Sequence, residues 1–177
     1  MEHEEVEVKK AIEKVGEGLK GGDLAAQVAE ITLSFLKTGV LPKEALGFND
    51  AKVEAIYGQA YRLYNTGRYP EAIELFRLLI GLDSAEPRYT LGLAACFHMM
   101  KEYENAAKIY LVAAMLDPEN PVPNFHASDC YIQMKDPASA VLFLEMAMDR
   151  AGSKPEYQVL KDRAKLTIES LKREIEK

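Results

Sequence analysis

The chain has 177 residues, 48% of them apolar, and a formal net charge of −6. That length and apolar content suit one medium domain with a sizeable core and exclude an intrinsically disordered tail. The acid excess, with no long basic block, argues against nucleic acid and anionic membrane as partners. No run of ~18 or more apolar residues occurs, so no transmembrane helix is expected. The first ten residues, MEHEEVEVKK, are acidic and polar, the reverse of a secretory signal, which points to the cytoplasm.

Residues 1–22 are rich in Glu and Lys, and Gly16, Gly18, Gly21 and Gly22 interrupt a thin apolar stripe. They are expected to form a mobile arm, because glycine is a poor helix former. Asp23 is placed to cap a helix that runs to about Thr38 and stops at Gly39. Leu24, Val28, Ile31 and Phe35 fall at spacings of four, three and four, so they share one face. That face either caps the repeats that follow or meets a second copy of the chain. Residues 40–49 contain Pro42, Gly47 and Asn49 and read as a short connector, the last part of a segment spanning 23–49.

From Asp50 the chain becomes periodic. Residues 67–72, GRYPEA, recur as KEYENA at 101–106 and, more weakly, as KDPASA at 135–140. Ala72, Ala106 and Ala140 are each 34 residues apart. A helical pattern stands on both sides of each turn, so the spacing predicts three helix pairs over about 50–152, with repeats near 53–86, 87–120 and 121–152. A period of ~34 residues is that of the tetratricopeptide repeat (TPR). Ala60, Ala94 and Ser128 share one position of the first helix, and the three turn alanines share one of the second. Small side chains there let the two helices approach. Leu63, Phe97 and Tyr131, then Phe76, Tyr110 and Leu144, fill the space around the contact. The third repeat is atypical: Pro121 and Pro123 open it, and Pro137 replaces the aromatic seen at Tyr69 and Tyr103.

Ser153 and Glu156 read as a capping box for a last helix over 153–177. Tyr157, Leu160, Ala164, Ile168, Leu171 and Ile175 give it one apolar stripe. Lys161, Asp162, Lys165, Glu169, Lys172 and Glu176 give it a charged face, as a terminal capping helix requires. The fold class is therefore all-α: three tandem TPR helix pairs with N-terminal helices and a C-terminal capping helix.

No phosphate loop, HExxH or nucleophile elbow occurs, and no cofactor is expected. Cys96 and Cys130 hold equivalent repeat positions and read as reduced, half-buried apolar residues, not as a metal or redox pair. His126, Ser128 and Asp129 are near in sequence, but neighbours on one helix point apart and cannot form a catalytic chain. An enzyme built on His98 or Cys96 would need a bound metal or cofactor.

What remains is a surface. In a stack of helix pairs the first helix of each pair lines the concave side, and its inward positions recur every three and four residues. In repeat one these are Tyr57, Tyr61 and Tyr64, flanked by Asn65. In repeat two they are Arg88, Leu91, Ala95, His98 and Met99, and in repeat three Val122, Phe125, Asp129, Ile132 and Gln133. An aromatic and apolar groove with a few polar groups is the make-up of a peptide-binding cleft. Any one tyrosine could merely pack between helices, but three on one line exceed what the packing positions need. TPR proteins that hold the acidic C-termini of heat-shock chaperones have Lys and Asn where this chain has Tyr57 and Tyr61, so that carboxylate clamp is absent.

Three stretches, IYGQAYRLYNTGRYPEAIELFRLL, RYTLGLAACFHMMKEYENAAKIY and VPNFHASDCYIQMKDPASA, resemble the class II chaperones of bacterial type III secretion. The resemblance covers about 39–152, and its most specific elements are LGLAAC and the FHASDC that follows a proline. It implies a cytoplasmic, non-enzymatic chaperone that holds hydrophobic translocator proteins through short, extended, Pro- and Leu-containing segments. It implies a dimer through the N-terminal helices, hence Leu24, Val28, Ile31 and Phe35. Tyr57, Tyr61, Tyr64 and Tyr69 match the family's aromatic positions in repeat one, and Leu91 and Phe125 continue the line. Repeat three departs from the pattern at Pro137 and lacks a proline after its second helix. The alternative is a TPR scaffold joining two proteins of an assembly, unrelated to secretion.

Overall fold

Seven α-helices follow one another among the residues that the computed structural model describes, 48–176. They are α1 (Asp50–Asn65), α2 (Tyr69–Leu82), α3 (Pro87–Met99), α4 (Tyr103–Leu116), α5 (Val122–Gln133), α6 (Pro137–Ala151) and α7 (Gln158–Ile175), with a 3-10 turn at Pro155–Tyr157 before α7. The expected arm at 1–22 and the face of Leu24, Val28, Ile31 and Phe35 lie outside the described residues. Each helix packs chiefly on the next one in sequence. Contacts of that local kind are those of a repeat array, in which each unit buries its apolar face on its neighbour.

The turn inside each pair is built the same way three times. At the end of α1 the Gly67 N–H donates to the Tyr64 carbonyl and the Arg68 N–H to the Leu63 carbonyl, at 3.0 and 2.9 Å. Lys101 and Glu102 repeat the pattern on His98 and Phe97, and Lys135 and Asp136 on Ile132 and Tyr131. This is the Schellman arrangement, which satisfies carbonyls left free at a helix end and needs one residue in the left-handed region. That residue is Gly67 (φ 77°), Lys101 (φ 63°) and Lys135 (φ 60°) in turn.

Helix starts are equally local. The Asn49 side chain accepts from the Lys52 N–H at 2.9 Å, and Phe48 is buried in one cluster with Val53, a hydrophobic staple. Asp136 accepts from both the N–H and the hydroxyl of Ser139, at 3.0 and 2.6 Å. Pro137, the departure in repeat three, sits in the first turn of α6, where its missing N–H would have been unpaired anyway.

The small residues sit where helices meet: Ala60, Ala94, Ser128, Ala72, Ala106 and Ala140 are all fully buried. Three apolar clusters follow along the stack. The first joins α1, α2 and α3 around Phe76, the second joins α3, α4, α5 and α6 around Tyr110, and the third joins α6 to α7. Gly92 lets α3 lie against the Phe76 ring, which occupies the place a Cβ would take.

Two expectations are corrected. Ser153 and Glu156 form no capping box: α7 begins at Gln158, and no side chain caps it. Lys154, which a cap at Ser153 would make the first helical residue, precedes Pro155 and is extended (φ −66°, ψ 121°), so the helix does not begin at Lys154. The chain makes a 3-10 turn first. Cys96 and Cys130 are fully rather than half buried, and they belong to the first and second clusters respectively. Burial pushes both thiols up to about 12, so they stay protonated and unreactive.

Candidate peptide-binding groove

The first helices α1, α3 and α5 carry the candidate row, and the 34-residue period sets side chains from successive helices beside one another. Tyr57, Leu91 and Phe125 hold one position, Tyr61, Ala95 and Asp129 a second, and Tyr64, His98 and Ile132 a third. None of the nine is buried. Asn65, Met99 and Gln133 flank them and are exposed. An unburied apolar line at these positions is unlike the inward positions one residue away, Ile56, Leu63, Ala94 and Ser128, of which all are buried.

Repeat one is the aromatic end. Tyr57 and Tyr61 stack with ring centres 6.5 Å apart, Tyr57 also meets Tyr89 at 5.7 Å, and Tyr64 meets Tyr69 at 5.7 Å. Tyr57 and Tyr64 have a double role, since each is also packed against the first core cluster. Burial raises the pKa of both hydroxyls, for Tyr57 against the opposing pull of Arg88. Tyr61 is 54% exposed, the most open of the three, with its ring stacked on Tyr57.

Arg88 closes this end. Its guanidinium lies 4.9 Å from the centre of the Tyr57 ring and donates to Glu54 at 2.7 Å and to Glu86 at 3.1 Å. Those hydrogen bonds, to Glu86 first and Glu54 second, hold its pKa above the ordinary arginine value. Glu54 and Arg88 stand 34 residues apart, so this pair links the same position of two successive first helices. Sequence reasoning missed Glu54 and Glu86, although the 34-residue spacing of Glu54 and Arg88 marked the first.

The centre of the row holds the histidines. His98 Nδ1 lies 3.4 Å from the Tyr110 hydroxyl, and its ring meets Tyr103 and His126 edge-on. Burial lowers its pKa, with Asp129 opposing and His126 adding to the shift. His126 Nδ1 is 3.8 Å from Asp129 Oδ2, while the Ser128 hydroxyl is buried and donates to the Phe125 carbonyl at 2.6 Å. These three residues therefore form no triad. Leu91 packs partly on the second cluster, and Phe125 and Ile132 partly on the third. Among the described residues no group of three His, Cys, Asp or Glu side chains is placed to hold a metal. A depression bounded by Arg77, Phe97, Asn105 and Lys108 shares no residue with the row.

The tetratricopeptide repeat model matches residues 53–84 and 89–120. The Low calcium response locus protein H of Yersinia pseudotuberculosis is 33% identical over 139 residues, 78% of this chain and 83% of that protein. The chaperone protein SicA of Salmonella typhimurium is 32% identical over 146 residues, 82% of this chain and 86% of its own. The type III secretion translocator chaperone SycD of Yersinia enterocolitica is 32% identical. In complex with a peptide of the translocator YopD it matches with a TM-score of 0.68, over 71% of this chain and 96% of SycD. As an alternative dimer it matches with a TM-score of 0.69, over 73% and 98%.

Proposed function

The chain belongs to the translocator chaperones of type III secretion systems, and from that premise we propose that it holds its clients on the first-helix row of its three repeats. Its clients are hydrophobic translocator proteins, of the kind whose peptide SycD binds. A translocator must stay soluble before export although it carries membrane-seeking segments. A chaperone that captures a short extended segment masks part of that surface and keeps the client unfolded. Extended, Pro-containing segments lose little entropy on binding, and aromatic rows suit them. The bacterial cytoplasm is the compartment in which this job arises, and no helix among the described residues is long and apolar enough to cross a membrane.

The observation that carries the assignment is the row itself, with Tyr61 54% exposed at its aromatic end. Tyr57, Tyr61 and Tyr64 act as anchors. Leu91, Ala95, His98, Phe125 and Ile132 continue the apolar floor, and Asn65, Arg88 and Asp129 offer polar contacts at its edges. The chaperone is non-enzymatic: it works by binding, and it needs no cofactor.

The test is a fluorescence titration of a labelled translocator peptide, such as that of YopD, with melting curves in parallel. An aromatic anchor truncated to Ala costs about 2–4 kcal/mol of binding, roughly 30- to 900-fold in affinity. Tyr61→Ala is expected to weaken the peptide by such a factor while the array stays folded, and Lys172→Ala on α7 is expected to change little. Unchanged affinity in a folded Tyr57/Tyr61/Tyr64 triple Ala variant would remove the row from the mechanism.

A further inference from the structure

We propose that the client groove continues past the third repeat onto α7, where Val159, Arg163 and Leu166 form a fourth rung for an acidic side chain next to apolar ones. This rests on the groove assignment above and extends it. The 34-residue register runs unbroken into α7. Cys96, Cys130 and Ala164 hold successive inward positions, and all three are fully buried. Counted from that anchor, Val159 follows Leu91 and Phe125, Arg163 follows Ala95 and Asp129, and Leu166 follows His98 and Ile132. The spacings of four and three put Val159, Arg163 and Leu166 on one helix face.

Val159 is 72% exposed and Leu166 68%. These residues are not leftover stacking surface. Ser128 and Tyr131 mark the side of α5 that meets its own second helix. The same positions of α7 carry Asp162 and Lys165, both exposed, so the end of the array is polar as a cap must be. The apolar pair stands instead on the side where α1, α3 and α5 carry Tyr57, Leu91 and Phe125. A contact joins the two faces: the Arg163 guanidinium lies 5.8 Å from the centre of the Phe125 ring, much as Arg88 lies over Tyr57.

Charge decides what this rung takes. Arg88 is already paired with Glu54 and Glu86. Among the described residues Arg163 has no carboxylate at ion-pair distance, and Phe125 is its side-chain contact. A guanidinium steadied on a ring, with its donors free, matches a carboxylate in fork geometry. The occupant is thus the same extended client segment, prolonged by one step between helices. That step is about 10 Å, or roughly three residues of extended chain.

A display library of random peptides of about twelve residues, enough to span four rungs, tests this on the full chain. It is panned on the unaltered protein, on Arg163→Glu and on Val159→Ser/Leu166→Ser, and enriched peptides are measured by fluorescence anisotropy. The unaltered protein is expected to select an apolar, Pro- and Leu-containing core with Asp or Glu beside an apolar residue at one end. Arg163→Glu is expected to keep the core and exchange the acid for Lys or Arg, a reversal that a merely structural role would not produce. Peptides with the acidic end are expected to lose about tenfold on either variant, about 1.4 kcal/mol, while core peptides lacking that end bind all three proteins alike. A core selected without any preference at its ends, yet still lost in the Tyr57/Tyr61/Tyr64 triple Ala variant, would sink the fourth rung and leave the groove standing. Binding that survives the triple Ala variant would sink the groove itself. A fall in mass by light scattering for Val159→Ser/Leu166→Ser would mean that a second copy covers this face, and would overturn the proposal as well.

Discussion

Gly67, Lys101 and Lys135 hold one backbone conformation at three turns, yet only the first is a glycine. A side chain in the left-handed region crowds its own backbone, at about 1–2 kcal/mol per residue. A Cβ at Gly67 would meet nothing within 4 Å, so its substitution tests conformation alone. Gly67→Ala is expected to destabilise the chain by about 1 kcal/mol, and Lys135→Gly to stabilise it by about 0.5 kcal/mol after the entropy of glycine is counted, both read by denaturant titration. The turn position was legible from the period, but nothing in a lysine announces a positive φ. His98 gives a second prediction at this scale. Burial lowers its folded pKa below the unfolded one, so the fold prefers the neutral ring. Its contribution is intact above the usual histidine value of about 6.5 and is lost as pH falls through the folded value. Melting temperature is expected to drop across that window, and to drop less in His98→Gln. The carboxylates of Glu71, Glu86 and Glu104, held low by hydrogen bonds to Arg68, Arg88 and Lys108, lose their contribution only further down in pH.

Among the helices, α3 shows how one residue sets a packing distance. Gly92 is in mid-helix, where glycine costs stability, and it is tolerated because the Phe76 ring of α2 fills the space beside it. Gly92→Ala forces the ring or the helix to move and is expected to cost about 1–3 kcal/mol in denaturant melts. Phe76→Leu in the same chain is expected to return part of that loss, and simple additivity of the two changes would show that the contact is not the cause. The start of α7 teaches the opposite lesson. Ser153 and Glu156 have the spacing of a capping box, but Pro155 between them holds Lys154 extended, and the motif cannot close. At α6 a proline does the reverse: Pro137 starts the helix and Asp136 caps it, so a departure from the repeat pattern keeps the repeat geometry.

For the whole molecule, the spacing of Leu24, Val28, Ile31 and Phe35 in the sequence, all outside the described residues, makes association through a shared apolar face an expectation. Val28→Glu with Ile31→Glu is expected to shift the mass in light scattering toward the monomer over a concentration series. A starting protein that is monomeric at every concentration would remove the second copy from the reading of that face. The sequence by itself determined the period, the helix pairs, the buried small positions and the side of each first helix that carries the row. All of these follow from spacing along one chain, because a 34-residue repeat puts the same residue in the same place three times. Only the tertiary structure decided how much of each side chain the solvent keeps. Tyr57 and Tyr64 lean on the first cluster while Tyr61 is 54% exposed, Glu54 and Glu86 close on Arg88 while Arg163 lies against the Phe125 ring, and the two cysteines sink into different clusters. Periodicity fixes the direction in which a residue leaves its helix. The distance to what it meets belongs to the neighbouring helix, and that distance settles burial, pairing and charge.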